Sequence, residues 1–205
     1  MNKKWICILL AVLLLCGALT ACAPAGTTET SSGGTTSKIE VTIDGLMAVV
    51  SVDELLENDP TVIRGTVSGI ERAIDMNTVN PAGYINRMVR TDYNVDVKET
   101  FLGAETKKVT IAERGGETET QIVKVDGVIQ PQKGEERFFF LWEEGLHHYS
   151  FPIRDGKVWV KRTELPEVFE GIPEGKGFAS YNKQISVEEF ETILRAKIAA
   201  RNSEK

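Results

Sequence analysis

The chain has 205 residues, 30 acidic against 24 basic, with a formal net charge of −6 and an isoelectric point near 5.2. An acidic balance without a basic stripe interleaved with aromatics argues against nucleic acid as a partner. The three cysteines, Cys7, Cys16 and Cys22, all fall at the N-terminal end and form no CxxC pair. That excludes a thiol redox centre and a cysteine zinc site, and leaves an exported domain to be held by core packing alone.

Lys3 and Lys4 precede an uncharged run from Trp5, strongly apolar to Leu15, and the small residues Gly17, Ala18, Thr20 and Ala21 lead into Cys22. This is the charged, apolar and small-residue layout of a secretory signal. Leu19-Thr20-Ala21-Cys22 resembles the lipobox of bacterial lipoproteins. The resemblance implies that residues 1–21 are removed as a signal peptide, and that Cys22 receives a diacylglyceryl thioether and anchors the chain at the extracytoplasmic face of the cell membrane. The other reading is an uncleaved membrane helix, since the uncharged stretch from Trp5 to Gly26 is long enough to span a bilayer; against it, Gly17 to Gly26 is mostly small residues. Two acyl chains anchor stably where one binds only marginally.

Residues 22–37 read as a lipid-attached linker. Ala23 to Ser37, APAGTTETSSGGTTS, has one charge and no large apolar residue, too little to offset its ordering entropy. It predicts a flexible tether reaching about 20 Å. Without Lys3 and Lys4 the count is 22 basic against 30 acidic, net −8. Such a chain is repelled by anionic lipid, so an acyl group rather than charge must hold it to a membrane.

Residues 38–205 suit a single domain. Ser51-Val-Asp-Glu54 is a capping box opening a short helix through Leu55 and Leu56, ended by Asn58-Asp59-Pro60. Thr61 to Ile70 reads as a β-branched strand with Gly65 as a bulge. Glu71 to Arg90, containing Asn80-Pro81-Ala82-Gly83, is either a large exposed loop or a protruding hairpin. Thr91 to Phe101 alternates Tyr93, Val95 and Val97 with Asn94, Asp96 and Lys98, the pattern of a half-buried strand. Lys108 to Ala112 and Thr120 to Val125 are further strands, stopped by Gly115-Gly116 and Asp126-Gly127. Arg137-Phe-Phe-Phe-Leu-Trp142 holds five consecutive large apolar residues, which predicts a strand buried on both sides or one crossing a barrel. His148 to Ile153 and Lys157 to Lys161 form a hairpin about Arg154-Asp155-Gly156. A second capping box, Ser186-Val-Glu-Glu189, opens a C-terminal helix over 186–201 whose apolar stripe is Val187, Phe190, Leu194 and Ile198, with Ile193 alongside.

Short strands with turn signals at this spacing predict a mainly β (α+β) fold, a small antiparallel barrel or sandwich flanked by two helices. Gly65, the strand end Val97-Lys-Glu-Thr-Phe-Leu-Gly103, the Gly115-Gly116 turn and Gly134-Glu-Glu-Arg-Phe-Phe-Phe-Leu141 resemble a group of uncharacterised secreted bacterial domains. That group is similar in layout to OB-type barrels of the netrin and metalloproteinase-inhibitor kind, over Ser51 to Lys161. The resemblance implies an OB-like barrel. It does not carry the inhibitors' mechanism, which needs disulfides and a free N-terminal cysteine amine.

Chemistry is sparse. His147 and His148 are adjacent, so on a strand they point to opposite faces and cannot chelate one ion; they read as polar residues at a loop-to-strand junction or as a surface pH sensor. No G-x-S-x-G elbow or S-x-x-K pair is present, and Ser150, on the same expected face as His148, has nothing in the sequence to orient it. No Gly-rich loop matches a phosphate cradle, and no motif implies a cofactor or a metal centre. Glu135, Glu136, Glu143 and Glu144 flank the apolar strand and read as solvated ends, whereas general acid chemistry needs a carboxyl in an apolar pocket. Asp92, Asp96 and Glu99 offer oxygens of the kind Ca²⁺ favours but lack EF-hand spacing; a wet strand face is the other reading.

Trp159 is the candidate binding residue. In Lys157-Val-Trp-Val-Lys161 the two valines share one face and Trp159 points the other way. It serves either as an anchor for a partner or sugar ring or as a residue covered by the C-terminal helix. The expected function is therefore a membrane-anchored extracytoplasmic lipoprotein, a non-enzymatic binding or envelope-associated module for an unknown protein or glycan. The alternative is a hydrolase of envelope material with an unidentified carboxylate site. A concave cavity with buried, convergent carboxylates favours the enzyme, and a closed core with exposed aromatics favours the binding module.

Overall fold

A computed structural model describes residues 37–44, 50–175 and 177–204. Leu19, Thr20, Ala21 and Cys22, with the linker up to Thr36, lie outside the described residues. In chain order the elements are β1 (Ile39–Ile43), α1 (Val52–Glu57), β2 (Thr61–Asp75), β3 (Thr78–Val79), β4 (Ile85–Asn86), β5 (Val89–Leu102), β6 (Lys108–Arg114), β7 (Gly116–Glu117), β8 (Gln121–Val125), β9 (Glu136–Trp142), β10 (His147–Arg154), β11 (Lys157–Lys161), α2 (Phe178–Tyr181), β12 (Asn182–Ser186) and α3 (Val187–Glu204).

The fold is mainly β. A seven-stranded sheet runs β12-β11-β10-β9-β2-β5-β6, every pairing antiparallel. Its hydrogen-bond ladder does not close into a barrel among the described residues: β12 and β6 are the two ends. A second sheet, β1-β8-β7, pairs β1 with β8 in parallel. The first capping box forms in full and the second by its serine half. Ser51 and Glu54 form a reciprocal capping box at α1, and Ser186 Oγ accepts from the Glu189 N–H at 3.0 Å at the start of α3.

β9 is central, and its unbroken apolar run is buried on both faces as its composition predicts. Phe138 and Phe140 join a core with Val62, Phe151, Val158 and Val160, covered by Leu55 and Leu56 of α1 and Phe190, Leu194 and Ile198 of α3. Phe139 and Leu141 join the opposite core with Ile63, Val67, Tyr93, Val95 and Ile111.

β2 and β5 run 15 and 14 residues, longer than their apolar signals suggest. They bend through several register shifts, one between Arg64 and Gly65. There a Cβ on Gly65 would stand 2.6 Å from Val95 Cγ1 and 2.9 Å from the Asp96 carbonyl oxygen, so glycine is required by the close approach of β5. Glu71 to Arg90 resolves as a protruding hairpin ending in the two-stranded β3–β4 sheet.

Candidate functional site

The β10–β11 hairpin turns on Asp155 and Gly156, with φ of 51° and 69°, the left-handed pair that a tight two-residue turn demands. Such a turn makes Arg154 and Lys157 a hydrogen-bonded pair, so the next such pair falls two residues on, at Pro152 and Trp159. Pro152 has no N–H to give. The ladder stops at Ile153 and Val158, while β11 remains paired with β12 as far as Lys161 and Asn182. Beyond that break a cavity of about 420 Å³ opens, lined by residues of both β10 and β11.

Glu164 satisfies backbone that the break releases. It is 4% exposed; one carboxylate oxygen accepts from the Lys161 N–H at 2.6 Å, and the other accepts from the Tyr149 hydroxyl at 2.5 Å. Burial, and then the neighbouring carboxylate, push the Tyr149 hydroxyl pKa well above its ordinary 10.0.

The opposite wall comes from β9, β10 and β6. Residues paired across a ladder share a face, so the pairs Pro152–Arg137, Ser150–Phe139 and His148–Leu141 put Arg137, Ser150 and His148 on the face away from α3. Arg137 is buried at 2% exposure. Its Nε and Nη2 donate to Glu135 Oε2 at 3.0 and 2.7 Å, Nη1 donates to Ser150 Oγ at 3.1 Å, and Nη2 donates to the Ile129 carbonyl at 3.1 Å. His148 Nε2 lies 3.2 Å from Glu113 Oε2, joining β10 to β6 where no backbone ladder does.

Trp159 is half-buried and lines this cavity with Arg137, Ser150 and Asn182. Val158 and Val160 sit in the helix-side core, so the indole lies on the other face and α3 does not cover it. The cavity's charges come largely in pairs, Arg137 with Glu135 and Lys161 with Glu164, and His148 faces Glu113. Val128, Ile129 and Pro152 supply apolar wall. This balance suits a polar ligand with an apolar face better than a strongly charged one. Among the described residues no hydrogen bond joins Ser150 to His148; the serine oxygen is held by Arg137 instead.

The other sequence candidates separate. His147 is exposed, 3.6 Å from Glu143, while the His148 side chain is 5% exposed. Asp92 lies between Arg72 and Arg90, Asp96 faces Lys108, and Glu99 meets Arg64 and Arg195, so the three acidic residues hold different partners. Among the described residues no cluster of three His, Cys, Asp or Glu could hold a metal. Glu143 and Glu144 are solvated as expected, but Glu135 is not: its side chain is 10% exposed because it neutralises Arg137. Arg137, Glu113, Glu135 and Glu164 were not legible as site residues. The one available signal was the i, i+2 spacing of Glu135 and Arg137, which puts them on one strand face. No protein-family model, curated protein or solved structure matches this chain.

Proposed function

We propose that the chain is a lipoprotein, anchored through Cys22 at the extracytoplasmic face of the cell membrane. Its β domain is a non-enzymatic module that captures a small polar ligand with an apolar face, the profile of a glycan ring, in the cavity between β10 and β11. The observation supporting this reading is the convergence of Trp159, Ser150 and Arg137 on one cavity. An indole offers a flat apolar surface, and fixed donors beside it supply orientation.

The hydrolase alternative draws on buried Glu164 and the half-buried carboxylates Glu113 and Glu135. Each already holds a partner in the folded chain, His148, Arg137 and Tyr149 respectively. Catalysis would have to break one of those contacts before a carboxyl could act.

Two experiments test the two halves separately. Metabolic labelling with a fatty acid should mark the wild type and not Cys22→Ala; continued labelling of the variant rejects the anchor. Titration of the full chain with cell-envelope saccharides should give saturable heat and a tryptophan fluorescence change that Trp159→Phe removes. Absence of heat with every saccharide rejects the glycan reading, and turnover of one of them favours the hydrolase.

A further inference from the structure

The tip of the β2–β5 hairpin forms its own two-stranded sheet, β3–β4, apart from the ladder of the main sheet. Residues 76–86, Met-Asn-Thr-Val-Asn-Pro-Ala-Gly-Tyr-Ile-Asn, carry no charge. Their large apolar side chains are all exposed: Met76 47%, Val79 69%, Tyr84 72% and Ile85 54%. Val79 and Ile85 stand directly across the β3–β4 ladder and share one face. Tyr84, the neighbour of Ile85, falls on the other with the pair Thr78 and Asn86, so one side is aliphatic and the other sets an aromatic ring among polar groups.

The N–H groups of this turn find their partners within it. The Asn80 N–H donates to the Tyr84 carbonyl and the Gly83 N–H to the Asn80 carbonyl, both at 2.9 Å. Asn80 Oδ1 accepts from the N–H groups of Ala82 and Tyr84, each at 3.0 Å. Pro81 has none. Every backbone donor from Asn80 to Tyr84 is therefore satisfied internally. These N–H groups thus lose no partner on leaving water.

We propose that this tip is a bilayer-contact wedge, entering the boundary between head groups and acyl chains with Tyr84 at the interface. Val79 and Ile85 on one face and Tyr84 with Thr78 and Asn86 on the other suit a ribbon lying at the boundary, aliphatic side chains toward the acyl chains and polar groups toward the head groups. Charges resume at the ribbon base with Arg72, Asp75, Arg87 and Arg90, which limits the depth of entry. The chain without its first lysines carries net −8, so attraction to anionic lipid is not the driving force, and contact is insensitive to salt. The inference does not depend on lipid at Cys22.

The test uses the full chain in phosphatidylcholine vesicles, with Tyr84→Trp read as the difference from wild type. The indole introduced at position 84 should shift its emission to the blue on vesicle addition, and should be quenched by lipids brominated near the head-group end of the acyl chain, equally at low and high salt. Adding Ile85→Asp should abolish both signals while leaving the melting temperature unchanged, as expected for an exposed tip. If position 84 stays open to aqueous iodide and untouched by brominated lipid while the protein floats with the vesicles, the wedge is rejected. Protection from iodide without any vesicles assigns the tip to a second copy and also rejects it.

Discussion

Pro152 stands across from Trp159 in the β10–β11 hairpin, at the pair that would carry the next two ladder bonds after Ile153 and Val158. A missing N–H at that one position removes one of those two bonds, and the paired register goes no further. The break separates a structural hairpin base from a cavity carrying Trp159, Ser150 and Arg137. Pro152→Ala restores the donor. The amide introduced at position 152 is expected to become protected from hydrogen exchange, with Trp159 less accessible to acrylamide and ligand capture weakened. An amide that exchanges freely would mean that Glu164, bonded to both Lys161 and Tyr149, holds the gap open on its own.

Phe140 is fully buried in the helix-side core, with its ring edge-on to Phe151 at 5.9 Å between centroids. Phe140→Ala should cost about 3–5 kcal/mol in chemical denaturation, a large share of a domain's usual stability. A loss below about 1 kcal/mol would contradict the central placement of β9.

The parts of the fold that show in the sequence are those whose pattern is set by burial alone. The alternation of Tyr93, Val95 and Val97, the unbroken run of β9 and the stripe of Phe190, Leu194 and Ile198 each report which side meets a core. β12, Asn-Lys-Gln-Ile-Ser, has one buried apolar residue, Ile185, and is a strand because β11 offers it an edge; no local signal announces that. β1 is likewise defined by its parallel partner β8. The site was harder still. A single arginine at the head of an apolar run looks solvated, and Arg137 is buried because Glu135, Ser150 and the Ile129 carbonyl meet its donors from three segments. Trp159 was legible because strand alternation opposes it to two core valines, whereas the cavity it lines depends on what a proline fails to donate.

The Tyr149–Glu164 contact gives a prediction at alkaline pH. Burial and Glu164 raise the folded-state pKa of Tyr149 above 10.0, while the unfolded chain ionises near that ordinary value. Above pH 10 the unfolded state therefore loses the proton first, so the stability of the folded state falls as pH rises. Urea unfolding of Tyr149→Phe should show a shallower decline above pH 10 than the wild type. Tyr93, also raised by burial, should leave a residual slope. Equal slopes for the two proteins would mean that Tyr149 ionises normally.

Glu135 and Arg137 test whether the cavity's buried cation is held by one partner or by several. Glu135→Ala leaves the Arg137 guanidinium buried without its counter-charge, which should cost about 3–5 kcal/mol. Arg137→Met should cost less, because Glu135 keeps the Gln132 N–H at 3.1 Å and Arg154 at 3.6 Å. The double substitution should recover most of the loss, since replacing both members of a buried pair by apolar groups is often near neutral. A coupling above about 1 kcal/mol in the resulting cycle identifies the pair as the main restraint. Additive losses would instead assign Arg137 to Ser150 and the Ile129 carbonyl. The same variants then separate stability from binding: the double variant keeps the fold but loses the donor that fixes Ser150, so it should unfold near the wild-type midpoint while saccharide capture falls. Unchanged capture in that variant would remove Arg137 and the serine it positions from the ligand site.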